Sequence, residues 1–171
     1  MTAASAPEVW LRGSLPGYPA MLMPVAHSLL QAREDVERVA GQATAEELWQ
    51  RPGQAAAAGY HLQHLAGSLD RLFTYARGEA LTEAQRAFAK QEGEGGEPPA
   101  PLAAVVAGSR QLIERGLDQL RATPGLSLLD ERKVGRAGLP STVIGLLFHA
   151  AEHATRHVGQ AITTAKILRG G

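Results

Sequence analysis

Four stretches of this chain space their apolar residues three or four apart, and no stretch alternates them every second residue as a half-buried strand would. The first carries Leu22, Val25, Leu29, Leu30, Val36 and Val39, and reads as a helix from Pro24, which suits a first turn, to about Gly41. The second, from about Ala55 to Ala76, carries Leu62, Leu65, Leu69, Leu72 and Phe73 and ends at Gly78. The third, Leu102 to Leu120, carries Val105, Val106, Leu112, Ile113 and Leu117 and is closed by Thr123, Pro124 and Gly125. The fourth opens at Pro140 and Ser141, carries Val143, Ile144, Leu147, Ala150, Ala154, Ala161, Ala165 and Leu168, and frays at Gly170. Four long amphipathic helices can hide their stripes only against one another, so the expected fold is all-α: a four-helix bundle, taken as a single domain over 1–171.

Shorter features decorate that frame. The first seventeen residues read as an extended arm that packs Trp10 and Leu11 onto the body. Thr44, followed by Glu46 and Glu47, starts a short helix that stops before Pro52, and Thr82 opens another through Phe88. The run EGEGGEPPAP at 92–101 is a composition break of the kind found in exposed, weakly ordered loops. A short extended piece is expected around Glu131 to Val134.

Composition excludes several functions. Lys plus Arg and Asp plus Glu both number 17, so there is no basic field to attract nucleic acid or an anionic membrane. The absence of cysteine removes disulfides, thiolate ligands and a cysteine nucleophile. The first residues lack a basic start followed by an apolar run, and no apolar run approaches the ~18 residues that span a bilayer. A soluble cytoplasmic protein is the expectation.

Histidine is the residue type that points to chemistry. Five of the six histidines fall in two short windows, His61 and His64 in the second helix and His149, His153 and His157 in the fourth. Residues four apart lie one above the other on a helix, so two such imidazoles can hold one metal ion from a single face. The HExxH zinc motif uses this spacing, but its glutamate position is occupied by Ala154, which argues against a protease of that type. At about 100° per residue, His157 lies roughly 40° from the centre of the fourth helix's apolar side, His153 roughly 80° and His149 roughly 120°. His153 and His157 therefore aim into a cleft beside the core, whereas His149 points toward solvent or a partner. In the second helix periodicity favours His61 over His64, although Gly59 makes the first turn the least regular, and Gly67 and Ser68 leave room beside His64.

The remaining polar residues have ordinary readings. His27 is a lone histidine whose default is surface or core hydrogen bonding, though its position also allows it to face the site. Glu152 and Arg156 form an i,i+4 ion pair, with Glu152 also able to fix a ligand's tautomer. Asp70 and Arg71 read as helix surface ahead of a substrate clamp, and Gln160 as an amide near His157 able to support that ligand.

The two windows together resemble the DinB-like, or YfiT-like, family of bacterial metal-dependent hydrolases and thiol transferases. The resemblance rests on His64-Leu65-Ala66 in the second long helix and on His153-x-x-x-His157 with the following Gly159-Gln160 in the fourth, and it extends over almost the whole chain. It implies one histidine ligand from the second helix and two from the last, hence His64, His153 and His157, and so overrules periodicity at His61. A divalent metal is implied, and three imidazoles without thiolates suit zinc or nickel. Branches of the family are thought to activate a low-molecular-weight thiol such as bacillithiol or mycothiol.

The function expected is therefore a metal-dependent enzyme acting on a small-molecule substrate by hydrolysis or S-transfer, with His149 or Glu152 as catalytic base. The alternative is a non-catalytic, stress-related bundle with a structural or vestigial metal site that acts by association. A homodimer is expected in either case, and neither nucleic acid nor membrane is expected as a partner.

Overall fold

The computed structural model describes residues 6–92 and 99–170, apart from the side chain of Gln42. Helix α1 spans Met23–Gln42, with Pro24 in its first turn, where an absent N–H leaves no bond unmade. Helix α2 spans Ala58–Ala76. It starts at Ala58 rather than at about Ala55 because Gly53 and Gln54 take positive φ and the chain then runs extended at Ala55 and Ala57. Helix α3 spans Glu83–Gln91 and begins on a reciprocal cap, the Thr82 hydroxyl accepting from the Gln85 amide and the Gln85 side chain accepting from the Thr82 amide. Helix α4 spans Leu102–Ala122 and α5 spans Val143–Leu168.

Between α4 and α5 lies an antiparallel hairpin of β1 (Glu131–Val134) and β2 (Leu139–Thr142), in register Glu131↔Thr142 and Val134↔Leu139. Pro140 and Ser141, expected to open the last helix, instead belong to β2. Thr142 is the N-cap, its hydroxyl accepting from the Gly145 amide at 3.1 Å. The short helix expected after Thr44 reduces to a 3₁₀ turn, Glu47–Trp49, with its reciprocal cap intact: Glu47 N–H to Thr44 Oγ1 at 3.1 Å and Thr44 N–H to Glu47 Oε2 at 2.9 Å. The weakly ordered loop expected at 92–101 falls largely on 93–98, outside the described residues.

The four long helices form the expected all-α bundle, in the ring order α1–α4–α2–α5. Each of α1 and α2 packs on both α4 and α5, and the most extensive interface is that of α2 with α5. Helices consecutive along the bundle's chain path, α1 with α2 and α4 with α5, thus stand on the diagonals. The 3₁₀ turns between α1 and α2 and the hairpin between α4 and α5 carry the chain across those diagonals, while α3 lies on the connection between the neighbours α2 and α4. Leu29, Val36, Leu62, Leu65, Leu69, Ile113, Leu117, Leu120 and Leu147 are fully buried along the shared axis. Gly116 allows the close approach of α4: a Cβ there would stand 3.2 Å from the Phe73 ring and 3.5 Å from Leu29.

The N-terminal arm docks differently from expectation. Trp10 and Leu11 remain 63% and 57% exposed, and Val9 is the buried residue of a 3₁₀ turn, Val9–Arg12. Polar contacts to α1 set that orientation. The Val9 amide donates to Gln31 at 3.1 Å, and Arg12 grips Glu34 with two hydrogen bonds of 2.5 and 2.8 Å. His27 belongs to the same junction, its Nε2 lying 2.9 Å from the Gly13 carbonyl oxygen. Among the described residues, no helix is long and apolar enough to cross a membrane.

Candidate metal centre

The interface of α2 with α5 brings the two histidine windows together. The exposure of the α5 histidines follows their distance from the apolar stripe: His157 is 9% exposed, His153 is half-buried and His149 is exposed. Across the interface the His64 ring centroid lies 5.1 Å from that of His153 and 4.6 Å from that of His157, and the His153 and His157 rings are 4.5 Å apart. One nitrogen from each of His64, His153 and His157 falls within 4.8 Å of the others. Ligand nitrogens of a tetrahedral ion with bonds of ~2.1 Å stand about 3.4 Å apart, so the rings are close enough to share one cation after a shift on the order of 1 Å.

His61 is also present, more deeply buried than His64 at 6% exposure, as periodicity anticipated. Its Nδ1 lies 3.1 Å from Nδ1 of His157, so it backs that ring from the core side and lies outside the set of three. Tyr60 covers the cluster from the start of α2, its ring stacked on His64 at 5.4 Å and 14°.

The electrostatics suit a cation. Burial, followed by the neighbouring His64, pushes the His153 imidazole down to about 4, and burial with His153, His64 and His61 does the same to His157. Burial lowers His61 too. At neutral pH these rings are uncharged and keep their lone pairs, as metal ligation requires. His153 Nε2 lies 3.0 Å from His64 Nε2, while His153 Nδ1 is buried with no hydrogen-bond partner among the described residues. Neutral imidazole nitrogens turned toward one another across α2 and α5 are the donor pattern a divalent ion would satisfy, so the residues present fit such an ion.

Beside His64 stand one residue that the sequence did not single out, Glu92, and one that it placed on the surface, Arg71. Glu92, 5% exposed just beyond α3, has Oε2 at 2.6 Å from His64 Nδ1, while its other oxygen accepts from Arg71. Burial pushes this carboxyl up, but the hydrogen bonds from His64 and Arg71 outweigh burial and hold it below the usual carboxylate range. Arg71, expected on the helix surface, is half-buried and turned to Glu92 and the Ser68 hydroxyl. Asp70 accepts from Gln85 at 2.8 Å and so docks the start of α3. Glu92 gave no signal because it opens a Gly/Pro-rich run, where a charged residue reads as solvated.

The other candidates lie at the rim. Glu152 takes two hydrogen bonds from Arg156, at 2.6 and 2.8 Å, and its Oε1 is 2.9 Å from His149 Nδ1. The His149 ring is 5.4 Å from that of His153. Gln160 is exposed, so its amide faces solvent.

Fold and site together define a four-helix bundle with a three-histidine cluster, drawn from two facing helices, that can hold a divalent metal ion. Residues 28–161 match the sequence model of the DinB superfamily, and the chain belongs to that superfamily. In fold it is similar to the crystal structure of a conserved protein from Enterococcus faecalis, with 21% identity, a TM-score of 0.64, and coverage of 88% of this chain and 98% of that one. A search of curated proteins found no match to the sequence.

Proposed function

We propose that this protein is a metal-dependent enzyme, in which His64, His153 and His157 hold one divalent cation, zinc or nickel, for hydrolysis or S-transfer on a small-molecule substrate. The observation that carries this reading is the convergence of three imidazole nitrogens within 4.8 Å of one another, from two facing helices. When bound, such an ion supplies Lewis acidity, lowering the pKa of a water or a low-molecular-weight thiol in a position the three imidazoles leave open.

The chain's own residues would do the rest. His61 and Tyr60 pack against the ligand rings and limit their rotation. On the solvent side, the Glu152 carboxylate beside His149 Nδ1 favours the tautomer with the proton on that nitrogen, which leaves Nε2 free to accept a proton from substrate or water. Arg156 holds Glu152 ionised: its hydrogen bonds keep the carboxyl below the ordinary range.

Elemental analysis of protein purified without an affinity tag and reconstituted with zinc or nickel tests the site. The natural sequence is expected to retain about one equivalent of ion, and His64→Ala and His153→Ala to lose it while staying folded, because three ligands are needed to close the site. Failure of the unsubstituted protein to bind either ion, or undiminished binding by both variants, would sink the proposal.

A further inference from the structure

Helix α3 buries none of its own side chains, yet polar contacts pin it to α2 at both ends. At its start, Gln85 Nε2 donates to Asp70 Oδ2 and to Thr74 Oγ1, both at 2.8 Å. At its end stands Glu92, one of the most buried ionisable residues described, with one oxygen on His64 Nδ1 and the other on Arg71. An element that adds nothing to the core but delivers one buried carboxylate to a ring of the histidine cluster has its purpose in that contact.

An ionised carboxylate only accepts hydrogen bonds, so the proton in the 2.6 Å contact must sit on His64 Nδ1. Nε2 is then the basic atom of the ring, and it is the atom that faces His153 Nε2 at 3.0 Å. The backbone makes room for this arrangement. A Cβ at Gly67, one helical turn beyond His64, would collide with the Glu92 carboxylate, and it would stand 2.7 Å from Phe88 on α3.

We propose that Glu92 is the positioning residue of the metal centre: it fixes His64 as the Nδ1–H tautomer with Nε2 turned to the cation, and it thereby makes α3 part of the site. The inference rests on the metal-centre reading given above. Carboxylates behind metal-bound histidines commonly raise affinity by ~10–100-fold, by orienting the ring and raising its basicity.

Three variants and two readouts test it. Ring-nitrogen NMR of the metal-free protein reports the His64 tautomer, and competition with a chromophoric chelator reports Zn²⁺ affinity. The natural sequence should show a single Nδ1–H tautomer. Glu92→Ala should lose that preference and bind Zn²⁺ about 10–100-fold more weakly. Gly67→Ala, which keeps the carboxylate but pushes it aside, should shift both readouts the same way. Glu92→Gln retains an acceptor for Nδ1–H, and should keep the tautomer and recover most of the affinity.

An unchanged tautomer and unchanged affinity in Glu92→Ala would overturn the proposal, as would equal losses in Glu92→Gln and Glu92→Ala, which would indicate a general charge effect. Should Glu92→Ala fail to fold, Gly67→Ala and Glu92→Gln decide by the same criteria. Absence of both Zn²⁺ and Ni²⁺ binding by the unsubstituted protein would instead refute the proposed function, and the metal-free tautomer would still decide whether Glu92 orients His64.

Discussion

His153 and His157 give the metal-free protein a defined pH dependence. Both imidazoles are held down to about 4 in the folded chain, against an ordinary value of 6.5. Between these values the unfolded chain binds more protons than the folded one, so folding stability rises with pH across that window and is lost as pH falls through it. His61, also lowered from 6.5, acts with the same sign, and Glu92, lowered from 4.5, adds to the loss only at lower pH. Urea titration in the presence of chelator should therefore give a lower midpoint at pH 5 than at pH 7, and a flat or inverted profile would show that the rings are not buried together. The sequence made these residues legible because a helical wheel converts position into burial, and the order His157, His153, His149 from core to solvent follows it. For Glu92 and Arg71 no wheel helps. Their burial comes from a contact 21 residues apart in sequence, between α2 and the end of a helix that buries none of its own side chains.

Among the elements, the start of α5 is where local pattern and structure part. Pro140 and Ser141 have the composition of a helix start, but strand pairing, which places Pro140 opposite Lys133, takes them into β2. The cap moves on to Thr142. Thr142→Ala removes the hydroxyl that accepts from Gly145, and should cost about 1 kcal/mol of stability, measurable as a lowered urea midpoint without loss of helix signal. No change would mean that the bonds from the Val143 and Ile144 amides to Asp130 and Leu128 suffice to fix the start of the helix. The N-terminal arm departs from expectation for a similar reason. Size and apolarity favoured Trp10 and Leu11 as anchors, but the two polar clamps to α1 turn the smaller Val9 inward.

For the whole molecule, the apolar spacing of four helices was enough to anticipate the bundle, because each stripe requires a neighbour. The ring order was not legible, since a stripe does not say which helix will cover it. The buried apolar side chains from Leu22 to Ala165 form one core shared by all four long helices. Removing the metal should accordingly leave the fold intact. Dialysis against a strong chelator is expected to preserve helical circular dichroism and a cooperative thermal transition, with the midpoint lowered by the lost binding free energy. Collapse of the helical signal on chelation would mark the ion as a structural one.

His64 and His153 are 89 residues apart, on helices that the chain visits with α4 and the hairpin in between. A nascent or refolding chain can wind its individual helices early, but it has no complete ligand set until the last of them closes against α2. Capture of the proposed cation would therefore come late in assembly, and it would single out chains whose architecture is finished.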